Sequence, residues 1–303
     1  MNIIEKNINK IDKFQRKHKL TAFSYAVIKK YGEDEAGYKA TLLTYYAFLS
    51  LFPLLLILVT LTTYVDTYFP GLQTDVVQAA TDYFPVLGQQ IADHISGLSQ
   101  TGPALLLALL FTLYGARGVG AAFQNGVQHI WGVPKVKRPG FPKSTTNSLL
   151  IILIGGLGLI VAAISTGIAA STGQGIGYNL LAAGINVIIL SCIFTFLINI
   201  CLPHKIALNK IGIAAIIAAV GLVALQNLGG RFITSELRTL DALYSYFALS
   251  LGLLFWIYLQ VQIVLFSVEI AAVNDKVDWP RSLSGKNLTP SDTRAAERIK
   301  NDY

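Results

Sequence analysis

The residue with the most evident potential for chemistry is Arg117, which lies inside an apolar stretch at residues 103–126. Ala121, Gln124 and Gln128 follow it at steps of 4, 3 and 4, so a helix would carry all of them on one face. A guanidinium group donates two parallel hydrogen bonds to a phosphate or carboxylate, and this stripe therefore indicates a substrate-binding surface for an anion. A structural arginine that bonds backbone carbonyls or extends toward the membrane surface accounts for the same pattern, and both interpretations stay open.

A second set of polar residues, Tyr258, Gln262 and Glu269, lies in the last apolar stretch of the chain. Their spacings of 4 and 7 place them on one helix face, which makes them further candidates for substrate binding. Helix rise puts Glu269 on the order of 10 Å closer to the cytoplasmic surface than Arg117, so an ion pair requires the arginine to reach toward it. The alternative is that Glu269 only marks the hydrated end of its helix.

The chain has no arrangement of residues typical of a catalytic centre. Its histidines lie far apart, and none has a second ligand at metal-binding spacing: they are His18, His94, His129 and His204. The motifs of serine hydrolases, zinc proteases and phosphate-binding loops do not occur, and Cys192 and Cys201 lack Cys-x-x-Cys spacing. We therefore predict no catalytic residue, no metal and no cofactor, and we do not expect an enzyme.

Composition indicates that these residues lie in a membrane protein. Hydrophobic residues make up 53% of the chain and charged residues 14%, against about a quarter charged in soluble proteins. The mean hydropathy is +0.54. Six continuous apolar runs, each near the ~20 residues of a membrane-crossing helix, occur at residues 41–64, 103–126, 147–171, 179–202, 211–228 and 244–273. Because the runs do not alternate as strands of a lipid-facing barrel do, they predict an all-α membrane protein with six transmembrane helices.

The basic residues predict the orientation of these helices. All but Arg117, Arg231 and Arg238 of the 24 Lys and Arg residues lie before the first run, after the last, or in the loops that share their side. The positive-inside rule then places both termini in the cytoplasm. The predicted organisation is a basic segment at 1–38, a six-helix domain at 39–275 and a polar, mobile tail at 276–303.

Two segments outside the runs have the spacing of amphipathic helices. In the first outside loop, apolar residues recur at steps of 3 and 4, at Phe84, Leu87, Ile91, Ile95 and Leu98. Near the N-terminus the same spacing occurs, with lysines between, at Ile4, Ile8, Ile11 and Phe14. The loop helix is expected to lie on the membrane or to cap the bundle. The N-terminal helix either binds the anionic cytoplasmic leaflet or lies in solvent.

The first apolar run contains a distinctive string of residues. Its specific positions are Tyr45, Tyr46, Ser50, Phe52 and Pro53, and it is followed by Gly115-Ala116-Arg117-Gly118 and by Ile130-Trp131-Gly132. Pro53 removes a backbone hydrogen bond within the run, which predicts a kink or hinge. The string resembles the YihY/BrkB family of bacterial inner-membrane proteins. The resemblance implies six helices with cytoplasmic termini in the cytoplasmic (inner) membrane, and members carry labels as different as ribonuclease BN, serum-resistance factor and lipid exporter.

Three functional classes fit these observations. We favour a transporter or exporter of a lipid or lipid-linked anionic substrate, because such a molecule would use both Arg117 and the glutamines below it. The alternative is a membrane scaffold that organises the cell envelope, and a membrane-associated ribonuclease is the least favoured class. The expected partners are membrane lipids and no nucleic acid, and the question of a homo-oligomer stays open.

Overall fold

The computed structural model describes residues 3–65, 103–172, 176–203, 206–236, 242–283 and 288–302. Within these ranges the chain is all-helical, apart from connecting turns. The helices are α1 Ile3–Lys17, α2 Lys19–Glu33, α3 Ala36–Val65, α4 Pro103–Ile130, α5 Lys143–Thr172, α6 Ile176–Cys201, α7 Leu208–Glu236, α8 Ala242–Lys276 and α9 Pro290–Asp302, with a 3₁₀ turn at Lys135–Lys137. The amphipathic loop helix predicted around residues 84–98 lies outside the described residues.

The predicted apolar runs agree with the long helices α3 to α8. Five of the runs lie entirely within one of these helices, and the run at 179–202 extends one residue beyond the end of α6. Among the described residues, three helical segments are long and apolar enough to cross a membrane, namely Leu180–Cys201, Leu208–Asn227 and Ser250–Lys276. The all-α membrane class is thereby confirmed, while the count of six spans and the side of the termini stay predictions.

The long helices pack in chain order. Each of α3 to α7 packs against the next helix, and α8 packs back against α3, so that the six helices close into a ring. Residues from all six of these helices meet in the largest buried cluster, which includes Leu43, Val127, Ile151, Ile198, Ile211 and Leu265. α3 continues without interruption through Pro53. The predicted hinge at that residue stays a prediction.

The two ends of the chain fold together at one end of this ring. Val27 of α2 packs against Val273, near the end of α8, and Phe23 contacts Trp279 edge-on. Arg281 is 1% exposed and bonds Glu33 of α2 at 2.7 Å. We call this assembly of residues 3–33, 278–283 and 288–302 the terminal clasp.

The expectation of a mobile C-terminal tail is wrong, because the tail is held by a buried carboxylate. Asp292 accepts hydrogen bonds from Lys29 Nζ at 2.9 Å, from Arg281 Nε at 3.0 Å and from the amide N–H groups of Ser282 and Thr289 at 2.9 and 3.0 Å. Burial opposes ionisation of this carboxyl, but these donors outweigh it and hold its pKa below the ordinary aspartate range. Polar composition alone did not reveal that the tail's charges have partners.

Replacing Asp292 with Asn should loosen the terminal clasp by about 1.5–3 kcal/mol, since hydrogen bonds to a buried charge are lost. Because the folded-state pKa is lowered, the carboxylate stabilises the wild type at neutral pH, and that contribution disappears as the pH falls through the lowered pKa. The Asn variant should lack this acid dependence. Hydrogen exchange of α2 and α9, corrected for intrinsic rates, measures both effects. Replacing the exposed Glu297 with Gln is the control, and equal protection in all three proteins at neutral pH would contradict the prediction.

Candidate functional site

Arg117 lies about halfway along α4, on its exposed face. It is 13 residues from the end of the helix at Ile130, which is about 20 Å of helix rise. The exposed side chains one turn before it are apolar: Leu113 is 52% and Tyr114 62% exposed. The structure therefore places the guanidinium on the outer surface of the ring, among side chains suited to lipid.

The stripe that begins at Arg117 leads from this outer surface into the ring. Ala121 is half-buried, whereas Gln124 and Gln128 are 2% and 1% exposed. Gln128 donates from Nε2 to the carbonyl of Cys201 at 2.7 Å, which ties α4 to α6. The hydroxyl of Ser148 donates to Gln124 Oε1 at 3.5 Å, while Gln124 Nε2 has no hydrogen-bond partner in the described part of the chain.

The polar face of α8 is completed by a residue from α2. Gln262 donates from Nε2 to the hydroxyl of Tyr258, and its Oε1 accepts a hydrogen bond from the hydroxyl of Tyr31. Burial, together with Tyr258 and Glu269, raises the pKa of Tyr31 to about 12, so the phenol keeps the proton that it donates. Tyr258 and Gln262 are both half-buried. Sequence reasoning missed Tyr31 because it lies outside every apolar run.

Glu269 forms a buried ion pair with α2. Its side chain is 0% exposed, and Oε2 accepts a hydrogen bond from Lys30 Nζ at 2.8 Å. Lys30 also donates to the carbonyl of Ile130 at 2.8 Å and pairs with Asp34. Within the described ranges no ion pair joins Glu269 to Arg117. Lys30 engages only Oε2 of Glu269, while Oε1 is buried and has no hydrogen-bond partner among the described residues.

The charges around Lys30 keep it ionised. Burial lowers its pKa, but the carboxylates of Glu269 and Asp34 outweigh burial, and the pKa of Lys30 is raised above the ordinary lysine value. The sequence carried one signal for this role. Lys30 follows Ala22 and Ala26 at steps of 4, so it shares their helix face, and all three are buried.

A small cleft lies beside this ion pair. Its volume is about 30 Å³, and it is lined by Lys30, Glu33, Asp34, His129, Ile130, Gly132, Ala295 and Arg298. That volume accommodates one or two water molecules and is too small for a lipid headgroup. Among the residues that the structure describes, no group of three His, Cys, Asp or Glu side chains could hold a metal ion.

Two residues of the distinctive string, Tyr46 and Ser50, pack closely against α4. A Cβ atom added at Gly115 would lie 2.6 Å from the Cβ of Ser50, and one added at Gly118 would overlap the ring of Tyr46. α3 and α4 can therefore approach closely only because these positions are glycine. Tyr45, by contrast, is 56% exposed. The two glycines flank Arg117 and fix the orientation of that part of α4.

The motif Ile130-Trp131-Gly132, which follows the string in the sequence, lies at the end of α4. Gly132 has a φ of +59°, a left-handed conformation that glycine adopts without strain. A Cβ atom there would also lie 3.0 Å from Nζ of Lys276, which donates to the carbonyl of Trp131. The Trp-Gly pair thus allows the end of α8 to approach the end of α4.

These features define a helical membrane protein with an exposed arginine midway along α4 and a buried ion pair that joins α2 to α8. The chain belongs to the family described as Virulence factor BrkB, whose pattern matches residues 27–288. The resemblance found from the string of residues is thereby confirmed. The matched region begins within α2, so it includes both Lys30 and Glu269. No curated protein and no solved structure matches the chain.

Proposed function

We propose that this protein is a multi-pass transporter of the bacterial inner membrane that moves an anionic lipid or lipid-linked substrate. The observation that carries the proposal is the exposed position of Arg117 among apolar side chains. An arginine near the centre of a membrane costs about 2.5 kcal/mol or more, unless it finds a partner or reaches water. A lipid phosphate supplies two acceptors for the guanidinium fork at that surface.

The stripe on α4 supports a route for the headgroup of such a substrate. From Arg117 the stripe leads inward to Gln124, whose amide has a donor without a partner among the described residues. A headgroup bound by these groups could leave its acyl chains in the surrounding lipid. The half-buried pair of Tyr258 and Gln262 supplies further polar groups on α8, which is adjacent to α3 and α7 in the ring and also contacts α4.

As such a transporter, the protein has six transmembrane helices with both termini in the cytoplasm, and its partners are membrane lipids rather than nucleic acid. Transport of an intact lipid includes no bond-breaking step, so Arg117 and the glutamines act by binding and not by catalysis.

Purified protein reconstituted into liposomes tests the proposal. Fluorescent analogues of phosphatidylglycerol and phosphatidylcholine should cross the bilayer at different rates, with the anionic lipid faster, because the guanidinium recognises negative charge. Protein-free liposomes and liposomes with an unrelated helical membrane protein control for unspecific movement. Equal rates for both headgroups, together with capture of one fixed protein partner, would favour the scaffold instead.

A further inference from the structure

The N-terminal helix α1 has its polar and apolar faces inverted relative to a helix of a soluble protein. Asp12 and Gln15 are 3% and 6% exposed, whereas Ile11 and Phe14 are 59% and 61% exposed. A helix of a soluble domain turns its apolar stripe toward the core and its charges outward. The outward apolar face of α1 therefore indicates that something other than water covers it.

The inward polar face of α1 has specific partners. The carboxylate of Asp12 accepts a hydrogen bond from the amide N–H of Leu283 at 2.9 Å and pairs with Arg16 at 2.6 Å. The hydroxyl of Thr21 in α2 donates to the carbonyl of Gln15 at 3.0 Å. These contacts with the tail and with α2 fix the rotation of α1, so the outward direction of Ile11 and Phe14 is set by the terminal clasp.

The charges beside the apolar face identify what covers it. Lys10, Lys13 and Lys17 are all exposed on α1. Lysines that flank an exposed apolar stripe complement an anionic phospholipid surface, where acyl chains and phosphates lie side by side. Exposed apolar side chains continue along the chain toward α3, at Leu20 with 81% and Ile28 with 62% exposure.

We propose that α1 docks on the anionic cytoplasmic leaflet, with Ile11 and Phe14 inserted at the headgroup boundary and the three lysines beside the phosphates. The inference does not depend on transport activity, but it rests on the proposed function for the cytoplasmic position of the N-terminus. It concerns a segment that precedes the region matched by the family, which begins at residue 27. Because Asp12 is bonded to the tail, docking holds the terminal clasp against the membrane surface.

Site-specific fluorescence in nanodiscs tests this docking on the full-length chain. Phe14→Cys, in a Cys192→Ser, Cys201→Ser background, carries an environment-sensitive label. In nanodiscs that contain phosphatidylglycerol we expect blue-shifted emission and quenching by lipids with a spin label near the headgroup. Thr293→Cys on the exposed side of α9 is the matched control and should stay water-like. Ile11→Cys repeats the measurement if the first variant folds poorly.

Removing the lysines distinguishes docking on lipid from burial of α1 against a second copy of the chain. Each Lys→Gln change at Lys10, Lys13 or Lys17 should lower the ratio of docked to undocked α1 about fivefold, which corresponds to about 1 kcal/mol per residue near an anionic surface. The label at position 14 should also be quenched less in nanodiscs that contain only phosphatidylcholine. The inference is overturned if the label is water-exposed in both lipids. It is equally overturned if lipid spin labels have no effect and shielding increases with protein concentration, since a second copy would then cover the face.

Discussion

Replacing Arg117 with Gln should abolish the headgroup dependence of lipid movement and leave the folded protein about as stable as the wild type. The guanidinium is exposed on α4 and makes no hydrogen bond or ion pair to the described residues, so its loss removes no contact among them. The change also removes an insertion cost of about 2.5 kcal/mol or more. Arg117→Lys keeps the charge but loses the planar fork, so it should retain only part of the preference for anionic lipid. Rates of lipid movement and thermal unfolding in detergent measure the two effects.

A neighbouring substitution provides the matched control for Arg117. Leu113 lies one turn earlier on the same exposed face, and Leu113→Gln introduces the same polar side chain without removing a charge. That variant should keep the wild-type headgroup preference. If Arg117 instead stabilises the fold, Arg117→Gln should lower the thermal stability, and lipid movement should fall only as far as the amount of folded protein falls. Full headgroup dependence with normal stability in Arg117→Gln would contradict both roles and leave the arginine without a binding function.

The sequence predicted the long helices because long apolar runs leave a strong and local signal. Each apolar run is close to the length that a helix needs inside hydrocarbon, and the positions of the runs follow from hydropathy alone. The stripe from Arg117 to Gln128 was also readable, since helix periodicity decides which residues share a face. Periodicity does not decide which way that face points. The structure shows that one end of the stripe faces outward and the other inward.

The contacts between distant segments were beyond sequence reasoning. Lys30 and Glu269 are 239 positions apart, and the pair forms only because α2 packs along the end of α8. The partner of Glu269 is a lysine of the basic N-terminal segment, which hydropathy separates from the apolar runs. The polar tail was misjudged for a related reason, because Arg281 and Asp292 are stable in a buried position only when α2 supplies their partners.

The two candidate sets of polar residues consequently differ in physical character. Arg117 faces the surface of the ring and has no hydrogen-bond or ion-pair partner among the described residues. Glu269 faces α2, where its partner belongs to the chain. An exposed charge without a partner is suited to binding, whereas a buried charge with a partner holds helices together. We therefore expect a substitution of Arg117 to lower activity with little effect on stability, and a substitution of Glu269 to lower stability.

Replacing Lys30 with Met should destabilise the protein by about 3–5 kcal/mol, because it leaves the carboxylate of Glu269 buried without its cation. Methionine has a similar length but carries no charge, so it fills about the same space at this buried position. Because the folded-state pKa of Lys30 is raised, the contribution of its ionisation to stability is present at neutral pH and is lost as the pH rises through that raised value, above the ordinary lysine range. Glu269→Gln should cost less than Lys30→Met, since Lys30 then keeps its bonds to Asp34 and to the carbonyl of Ile130.

A double-mutant cycle distinguishes the observed ion pair from the alternative with Arg117. Lys30→Met combined with Glu269→Gln should be less destabilising than the sum of the single changes, with a coupling of about 1–3 kcal/mol. Arg117→Gln combined with Glu269→Gln should be additive within about 0.5 kcal/mol, because no contact joins these residues in the described structure. Unfolding in detergent at neutral pH supplies all the values. Additivity of Lys30 with Glu269, together with coupling of Arg117 to Glu269, would show that the pair is wrongly assigned and that α2 is held to α8 by other contacts.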